Sequence, residues 1–167
     1  MAQKTNEIFT KDHHDFISIH FPKKATFYMN NAFIPFGLND NNTLKCEFAK
    51  TDNDLYRKIE KKEKDFFAQS IELLQTMTND TGNTIQNPIC NSRLQKKGSY
   101  PPTLLCSIKY RQHNIQTEIL QHSRGLCTIY TLKRKRVHVR IECDTVWFNK
   151  KTNRMNCHWK INTIEII

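Results

Sequence analysis

The chain has 167 residues, of which 26 are Lys or Arg and 16 are Asp or Glu, for a net charge of +10. This length suffices for one domain with a hydrophobic core that needs neither disulfides nor metals. Because no apolar run approaches the ~20 residues that cross a bilayer, and residues 1–15 lack the apolar segment of a secretory signal, we expect an intracellular protein without membrane association.

The first half of the sequence predicts strands followed by one long helix. Apolar and polar residues alternate over 15–21 and 43–49, and the aromatic-rich stretch 24–38 is typical of one or two further strands. Residues 53–78 contain neither Gly nor Pro and space their apolar side chains at helical intervals. This segment is therefore predicted to be an α-helix.

A long basic loop is predicted to follow the helix. Residues 79–102 are rich in turn-forming residues and show no periodicity. Loops of this length within a compact domain are usually functional or mobile. The segment carries Arg93, Lys96, Lys97 and Tyr100.

Strand periodicity dominates from residue 103 onward. The clearest alternation runs over 137–148. The odd-numbered residues from Val137 to Trp147 share one face, and the even-numbered residues from His138 to Phe148 share the other. The returning stretch 155–167 loses its alternation near Asn162–Thr163, which indicates a β-bulge. The earlier predicted strands are 103–110 and 114–120, joined as a hairpin, and 125–132.

This order of elements favours a closed sheet. We expect a mainly β fold, a β-barrel of OB-fold-like arrangement with one inserted α-helix at 53–78, because closure removes exposed strand edges. An N-terminal arm is predicted over 1–14. A single domain is predicted over 15–167, with the helix followed by the basic loop 79–102.

The positive charge is confined to one half of the sequence. Residues 1–84 contain 11 Lys and Arg against 12 Asp and Glu, a net charge of −1, whereas residues 85–167 contain 15 against 4, a net charge of +11. A lysine-rich coding bias would not remove acidic residues from one half alone. The asymmetry predicts a polyanion as partner, most often a nucleic acid; a basic surface that serves solubility alone is the alternative.

The basic half interleaves cations with flat side chains, the combination that binds single-stranded nucleic acid. Four consecutive cations, Lys133–Arg136, lie between two predicted strands, where a turn exposes them to water and to phosphates. Trp147 and Trp159 lie on apolar faces and are predicted to be core residues, so Phe148 is predicted to point outward. The predicted nucleic-acid-binding residues are Lys109, Tyr110, Arg111, Tyr130, Lys133, Arg134, Lys135, Arg136, Arg140, Phe148, Lys150 and Lys151.

Two alternatives stay open for these residues. The Lys133–Arg136 run also fits a nuclear-import signal, a use that is compatible with DNA binding. The rings of Tyr100, Tyr130 and Phe148 are as well suited to a hydrophobic core as to base stacking.

Patterns for catalysis or metal binding are weak. The chain has four glycines, none in a Gly-rich phosphate loop, and only four acidic residues after residue 84. Glu142 and Asp144 share a strand face at a spacing that fits a metal, but charges that offset Arg140 and His138 are the simpler interpretation. The six cysteines form no Cys-x-x-Cys pair, so free thiols are predicted, and we expect no enzymatic activity, metal or cofactor.

Three stretches in the same order resemble the OB-fold single-stranded DNA-binding proteins of large DNA viruses and, more distantly, the replicative single-stranded DNA-binding proteins of T-odd phages. The first resembles the strand pair with Pro-Phe-Gly-Leu before the family's helix, the second its hairpin introduced by Tyr-x-Pro, and the third its closing strand pair. They are NNAFIPFGLNDNNTLKCEFA, YPPTLLCSIKY with NIQTEIL, and VHVRIECDTVWFNKKTNRMNCHWKINTIEII.

The resemblance implies an OB fold and sequence-independent binding of single-stranded DNA in viral DNA replication, repair or recombination. It implies a location in the host nucleus or at a viral replication site. RNA is the alternative ligand, and replication proteins and a second copy of the chain are further candidate partners. The closing turn, residues 151–155, departs from the family's Lys-Phe-Gly-like element.

Two functions of other classes stay open. One is a packaging or virion structural protein that neutralises duplex DNA by charge alone. The other is a metal-dependent nuclease that uses Glu142 and Asp144.

Overall fold

The structure is a computed structural model that describes residues 7–78, 87–112, 114–121 and 129–167. One helix, α1 (Asn53–Thr78), and a 3₁₀ turn at Ile129–Thr131 accompany the strands. The strands are β1 (Phe9–Asp12), β2 (Phe16–Ile34), β3 (Thr43–Glu47), β4 (Ile89–Cys90), β5 (Leu94–Gln95), β6 (Thr103–Ile108), β7 (Tyr110–Arg111), β8 (Asn114–Ile115), β9 (Glu118–Gln121), β10 (Lys135–Asn149), β11 (Arg154–Cys157) and β12 (Lys160–Ile166).

Five strands pair into a closed ring. The neighbours run in the order β2, β3, β6, β12 and β10, and β2 also pairs with β10. The β2–β3, β3–β6 and β12–β10 contacts are antiparallel, whereas β6 and β12 run parallel. The predicted mainly β fold with one helix and a barrel-like sheet is confirmed, whereas the OB-fold arrangement stays a prediction.

The helix has its predicted bounds, 53–78. Asp54 in its first turn complements the positive end of the helix dipole. Ser70 is buried within the helix, where its hydroxyl donates a hydrogen bond to the Phe66 carbonyl oxygen at 2.7 Å. In the described part of the chain, no helix combines the length and apolar content that crossing a membrane takes.

The described residues form two compact units, each assembled from three parts of the sequence. Unit 1 takes its residues from 1–25, 60–92 and 144–158, and unit 2 from 26–59, 93–143 and 159–167. Residues 9–12, which the sequence places in an N-terminal arm, form β1 and pair with 17–20 of β2. A domain is defined by its ability to fold alone, and compactness is a different property. The predicted single domain over 15–167 therefore stays a prediction.

The predicted bulge in the last strand is confirmed. Arg140 of β10 lies opposite Thr163 of β12, but Ile141 lies opposite Ile161. Asn162 is therefore the extra residue, close to where the alternation of the sequence breaks.

The far end of β10 corrects one prediction. The odd-numbered side chains of 137–143 are buried as predicted, but Thr145 and Val146 are both buried, and this pair shifts the alternation by one residue. Phe148 is consequently a core residue, 3% exposed, and the prediction that it points outward is wrong. Trp147 is half-buried rather than core.

Trp159 is a core residue, as predicted, and most of the cysteines that the structure describes are buried as well. Trp159 is buried, and its ring lies 5.9 Å from the ring of Phe27. Cys46, Cys106, Cys143 and Cys157 are buried, as their apolar surroundings favour. Cys90 is an exposed free thiol, and Cys127 lies outside the described residues.

Three strand predictions need correction. The stretches 15–21 and 24–38, predicted as separate strands, are joined in one continuous strand, β2, which covers 16–34 and ends before Pro35. The hairpin predicted from 103–120 shrinks to β7 and β8, because β9 pairs in parallel with β12 instead of returning along β6. Residues 129–131 form a 3₁₀ turn rather than a strand, and 125–128 lie outside the described residues.

The predicted basic loop is only partly described. Residues 79–86 lie outside the described residues. Residues 87–102 are irregular apart from the short strands β4 and β5.

Candidate functional site

The four consecutive cations form an exposed turn at the start of β10. The turn closes where the Lys135 amide donates to the Leu132 carbonyl oxygen at 3.0 Å, with Arg134 in the left-handed region at φ 63°. The Arg134 amide donates to the Ile34 carbonyl oxygen at 2.6 Å, which ties the turn to the end of β2. All four side chains of Lys133–Arg136 are exposed, so they can meet phosphates without a desolvation cost.

The turn also lies against Gly37. This glycine has φ +75°, and a Cβ built on it would lie 3.4 Å from the Lys133 Cβ. Glycine is therefore favoured here both by its backbone conformation and by the close approach of the turn. The preceding residue, Phe36, is held beside the cationic turn as a result.

Two arginines of β10 lie over aromatic rings of β2. The Arg136 guanidinium carbon is 5.4 Å from the centroid of Phe33, and its Nη1 donates to the Asn31 carbonyl oxygen at 3.3 Å. The Arg140 guanidinium carbon is 5.8 Å from the centroid of Tyr28, an exposed ring. Cation–π contacts of this kind fix a guanidinium group in place while leaving N–H donors for a phosphate.

A cavity of about 370 Å³ lies in the same unit, and we call it the Phe36–Tyr100 cavity. Its two rings are 70% and 77% exposed, large values for aromatic side chains. The Lys45 ammonium lies 5.8 Å from the Phe36 centroid. The cavity is lined by Pro35, Phe36, Lys45, Glu47, Gln95, Lys97, Tyr100, Pro101 and Thr103.

Local structure explains why these side chains face the cavity. Leu44 and Cys46 of β3 are fully buried, so the alternating residues Lys45 and Glu47 point to the opposite face. Tyr100 follows a turn in which its amide donates to the Lys97 carbonyl oxygen at 3.1 Å. Gly98 supplies the positive φ of +56° within that turn.

A second cavity, of about 260 Å³, adjoins the first. The two share Glu47 and Pro101, and the second is also lined by Arg136 and Lys50. Arg136 thus connects the Phe36–Tyr100 cavity with the cations of β10. We call the whole the ring-and-cation surface: Tyr28, Phe33, Phe36, Lys45, Lys97, Tyr100, Lys133–Arg136 and Arg140.

Lys109, which the sequence assigns to DNA binding, is engaged elsewhere. Its ammonium is 2.6 Å from Oε1 of Glu142, a side chain only 8% exposed. The Asn162 amide donates to the other carboxylate oxygen at 2.8 Å. Lys109 therefore neutralises a buried carboxylate.

The carboxylates suggested for a metal site have protein partners as well. Glu142 contacts Lys109, and Asp144 accepts a hydrogen bond from the Thr145 hydroxyl at 2.9 Å. Within 7–78, 87–112, 114–121 and 129–167, no three His, Cys, Asp or Glu side chains are grouped to hold a metal ion.

Three other predicted residues of unit 2 are exposed but lie outside the ring-and-cation surface as defined. Tyr110 and Arg111 form β7, which belongs to a separate two-stranded sheet with β8. Tyr130 lies in the 3₁₀ turn that precedes Lys133, and its ring is exposed.

The predicted residues of unit 1 are buried or paired. Phe148 is in the core, as described above. The Lys150 ammonium lies 2.8 and 2.9 Å from the two carboxylate oxygens of Asp12, and that of Lys151 lies 3.3 Å from Asp15. The hydrogen bond from Lys150 lowers the pKa of Asp12 below its ordinary value. Each of the two lysines thus faces a carboxylate.

Several residues of the ring-and-cation surface are absent from the set predicted from the sequence. Tyr28, Phe36 and Lys45 lie in the half without net positive charge, and the charge asymmetry directs attention away from them. The alternation over 43–49 does place Lys45 on the face opposite the core, and Phe36 lies in a Pro-Phe-Gly turn. These two sequence signals place Lys45 and Phe36 at the surface, where they are available to a binding site. No protein-family model matches the chain, and no curated protein matches its sequence.

Proposed function

We propose that this chain binds single-stranded DNA through the ring-and-cation surface, as a replication-associated protein of a virus, and that it catalyses no reaction. The observation that carries the proposal is the pair of highly exposed rings, Phe36 and Tyr100, lining one cavity with Lys45 and Lys97. Rings that face water gain free energy when a flat ligand covers them, and lysines beside them suit the phosphates of that ligand.

The strand ring supports an OB arrangement for this proposal. In OB-folds, oligonucleotides bind on the second and third strands and on the loop between the first two. Taking β2 as the first strand, β3 and β6 are the second and third strands of the ring, and Phe36 lies between β2 and β3. Lys45 and Glu47 of β3 and Thr103 of β6 line the cavity on that face.

The energetics favour a single strand over a duplex. Stacking of a base on an aromatic side chain contributes about 1–3 kcal/mol, and every base has a flat face to offer. In a duplex the bases are already stacked on one another, so their faces are not accessible to Phe36 or Tyr100. Binding by charge alone, the packaging alternative, would make no such distinction.

The first test is competition between oligo-dT and duplex DNA for a fluorescein-labelled oligo-dT of about 15 nucleotides. Oligo-dT is expected to compete far better than duplex. If about five phosphates are contacted, log affinity falls with log salt at a slope near −3.5. Duplex competing as well as oligo-dT, or an affinity that does not change with salt, would contradict the proposal.

Substitutions at Phe36 test the stacking component. Phe36→Leu keeps an apolar side chain but removes the ring, so affinity is expected to fall by about 1–3 kcal/mol. Phe36→Trp keeps a flat ring and is the matched control, which is expected to bind at least as tightly. The tryptophan fluorescence that this variant gains over the unsubstituted protein, which contains Trp147 and Trp159, should be quenched by oligo-dT if a base stacks on the new ring. Equal affinity of the two variants would exclude stacking at this position.

A further inference from the structure

The Phe36–Tyr100 cavity contains a carboxylate that stacking and phosphate binding do not use. Glu47 is half-buried and lines both adjoining cavities. In the described part of the chain its side chain makes no hydrogen bond or ion pair, although Lys45 and Lys97 line the same cavity. A negative charge on a surface that attracts phosphates opposes binding unless the ligand supplies donors to it.

The position of Glu47 suits contact with the edge of a stacked base. On one side its cross-strand neighbour is Phe33, and on the other it is Thr103. Directly opposed side chains of neighbouring strands lie about 4.5–5.5 Å apart. Because Glu47 lines the same cavity of about 370 Å³ as Phe36 and Tyr100, a base held against either ring has the carboxylate within reach of its edge.

Hydrogen-bond chemistry selects one base. An ionised carboxylate only accepts, and it binds most strongly to two parallel N–H donors. Guanine presents two adjacent donors, N1–H and the N2 amino group, on its Watson–Crick edge. Thymine presents one N–H between two carbonyl oxygens, which the carboxylate repels. Adenine and cytosine each present an amino group beside a ring nitrogen acceptor.

We infer that the Phe36–Tyr100 cavity is a guanine subsite in which Glu47 reads the Watson–Crick edge. The inference rests on the proposed function and adds a preference at one nucleotide, while stacking and phosphate contacts elsewhere stay indifferent to sequence. A carboxylate paired to both guanine donors discriminates against thymine by about tenfold in affinity.

The test measures binding of an oligo-dT of about eight nucleotides and of four versions that carry one central substitution. The substituents are guanine, 7-deazaguanine, hypoxanthine and cytosine. Guanine and 7-deazaguanine, which share the same Watson–Crick edge, are expected to bind about tenfold more tightly than all-thymine. Hypoxanthine, which lacks the amino group, is expected to be intermediate, and cytosine to stay near thymine.

Substitution of the carboxylate completes the test. Glu47→Gln is isosteric, and its amide accepts one hydrogen bond and donates one, a pairing that thymine offers with N3–H and O4 and guanine with N1–H and O6, so the guanine preference is expected to fall to near-equal affinity for the two bases. Glu118→Gln makes the same charge change at an exposed residue of the same unit and should retain the guanine preference.

The outcomes separate the inference from the proposed function. Equal affinity of the unsubstituted protein for all five oligonucleotides, with clear binding to each, would overturn the guanine subsite and leave single-strand binding intact. An unchanged guanine preference in Glu47→Gln would also overturn the subsite. Failure to bind any of the oligonucleotides would refute both.

Discussion

Replacement of Lys109 by Met separates a structural role of this lysine from a role in DNA binding. The ammonium lies 2.6 Å from Glu142, whose side chain is 8% exposed, whereas the Lys109 side chain is 32% exposed. Removing one partner of a fully buried ion pair costs about 3–5 kcal/mol. Because a third of Lys109 faces water and Asn162 still donates to Glu142, we expect a loss of about 2 kcal/mol, between the buried and the exposed values.

The assay is thermal and urea unfolding followed by circular dichroism. A loss of about 2 kcal/mol corresponds to roughly 4–8 °C in Tm for a chain of this size. Lys133→Met, in the exposed turn, is the control and should change the free energy of unfolding by less than about 0.5 kcal/mol. The double variant Lys109→Met with Glu142→Gln should regain stability, because no buried charge is left without its cation.

The same variants give opposite results in DNA binding. Lys133→Met removes a phosphate contact, so the slope of log affinity against log salt should become less negative by about 0.7. Lys109→Met should leave this slope unchanged. Suppose instead that Lys109→Met unfolds at the same temperature as the control and loses the same slope. The ion pair would then contribute nothing to the free energy of unfolding, and Lys109 would belong to the binding surface as the sequence predicts.

Three further predictions concern side chains with defined surroundings. Because the pKa of Asp12 is lowered, its ion pair with Lys150 stabilises the fold at pH values above the ordinary Asp pKa, and this stabilisation is lost as the pH falls through the lowered value. Lys150→Met should therefore raise the Asp12 pKa in a carboxyl NMR titration. Lys151→Met is the control and should leave the Asp12 pKa unchanged. Phe148→Leu should cost less than about 1.5 kcal/mol of stability and leave oligo-dT affinity unchanged, since the ring is buried; a weaker affinity would place it in the surface after all. Cys90 is an exposed residue, although partial burial of its thiol raises the thiol pKa. Peptide mapping should find it alkylated ahead of the buried cysteines in the folded protein, with a pH midpoint above the ordinary value for a thiol. Labelling of a buried cysteine first would contradict this.

Local patterns in the sequence determined the helix, part of the last strands and the bulge. The helix at 53–78 has the bounds that its periodicity predicts, because a helical stripe and the absence of Gly and Pro are properties of adjacent residues. The alternation over 137–143 and the bulge at Asn162 follow from the same kind of information. The exposed turn at Lys133–Arg136 does too, since four consecutive charges cannot enter a core.

Only the tertiary structure decided which residues form the candidate site. The Phe36–Tyr100 cavity brings together residues 35–36, 45–47 and 95–103, and these meet because β2, β3 and β6 are neighbours in the sheet. Strand order and register are set by contacts between distant segments, which no local period encodes. A shift of one residue in the alternation of β10 likewise places Phe148 in the core. Lys109 forms an ion pair with the buried carboxylate of Glu142, which is distant from it in the sequence.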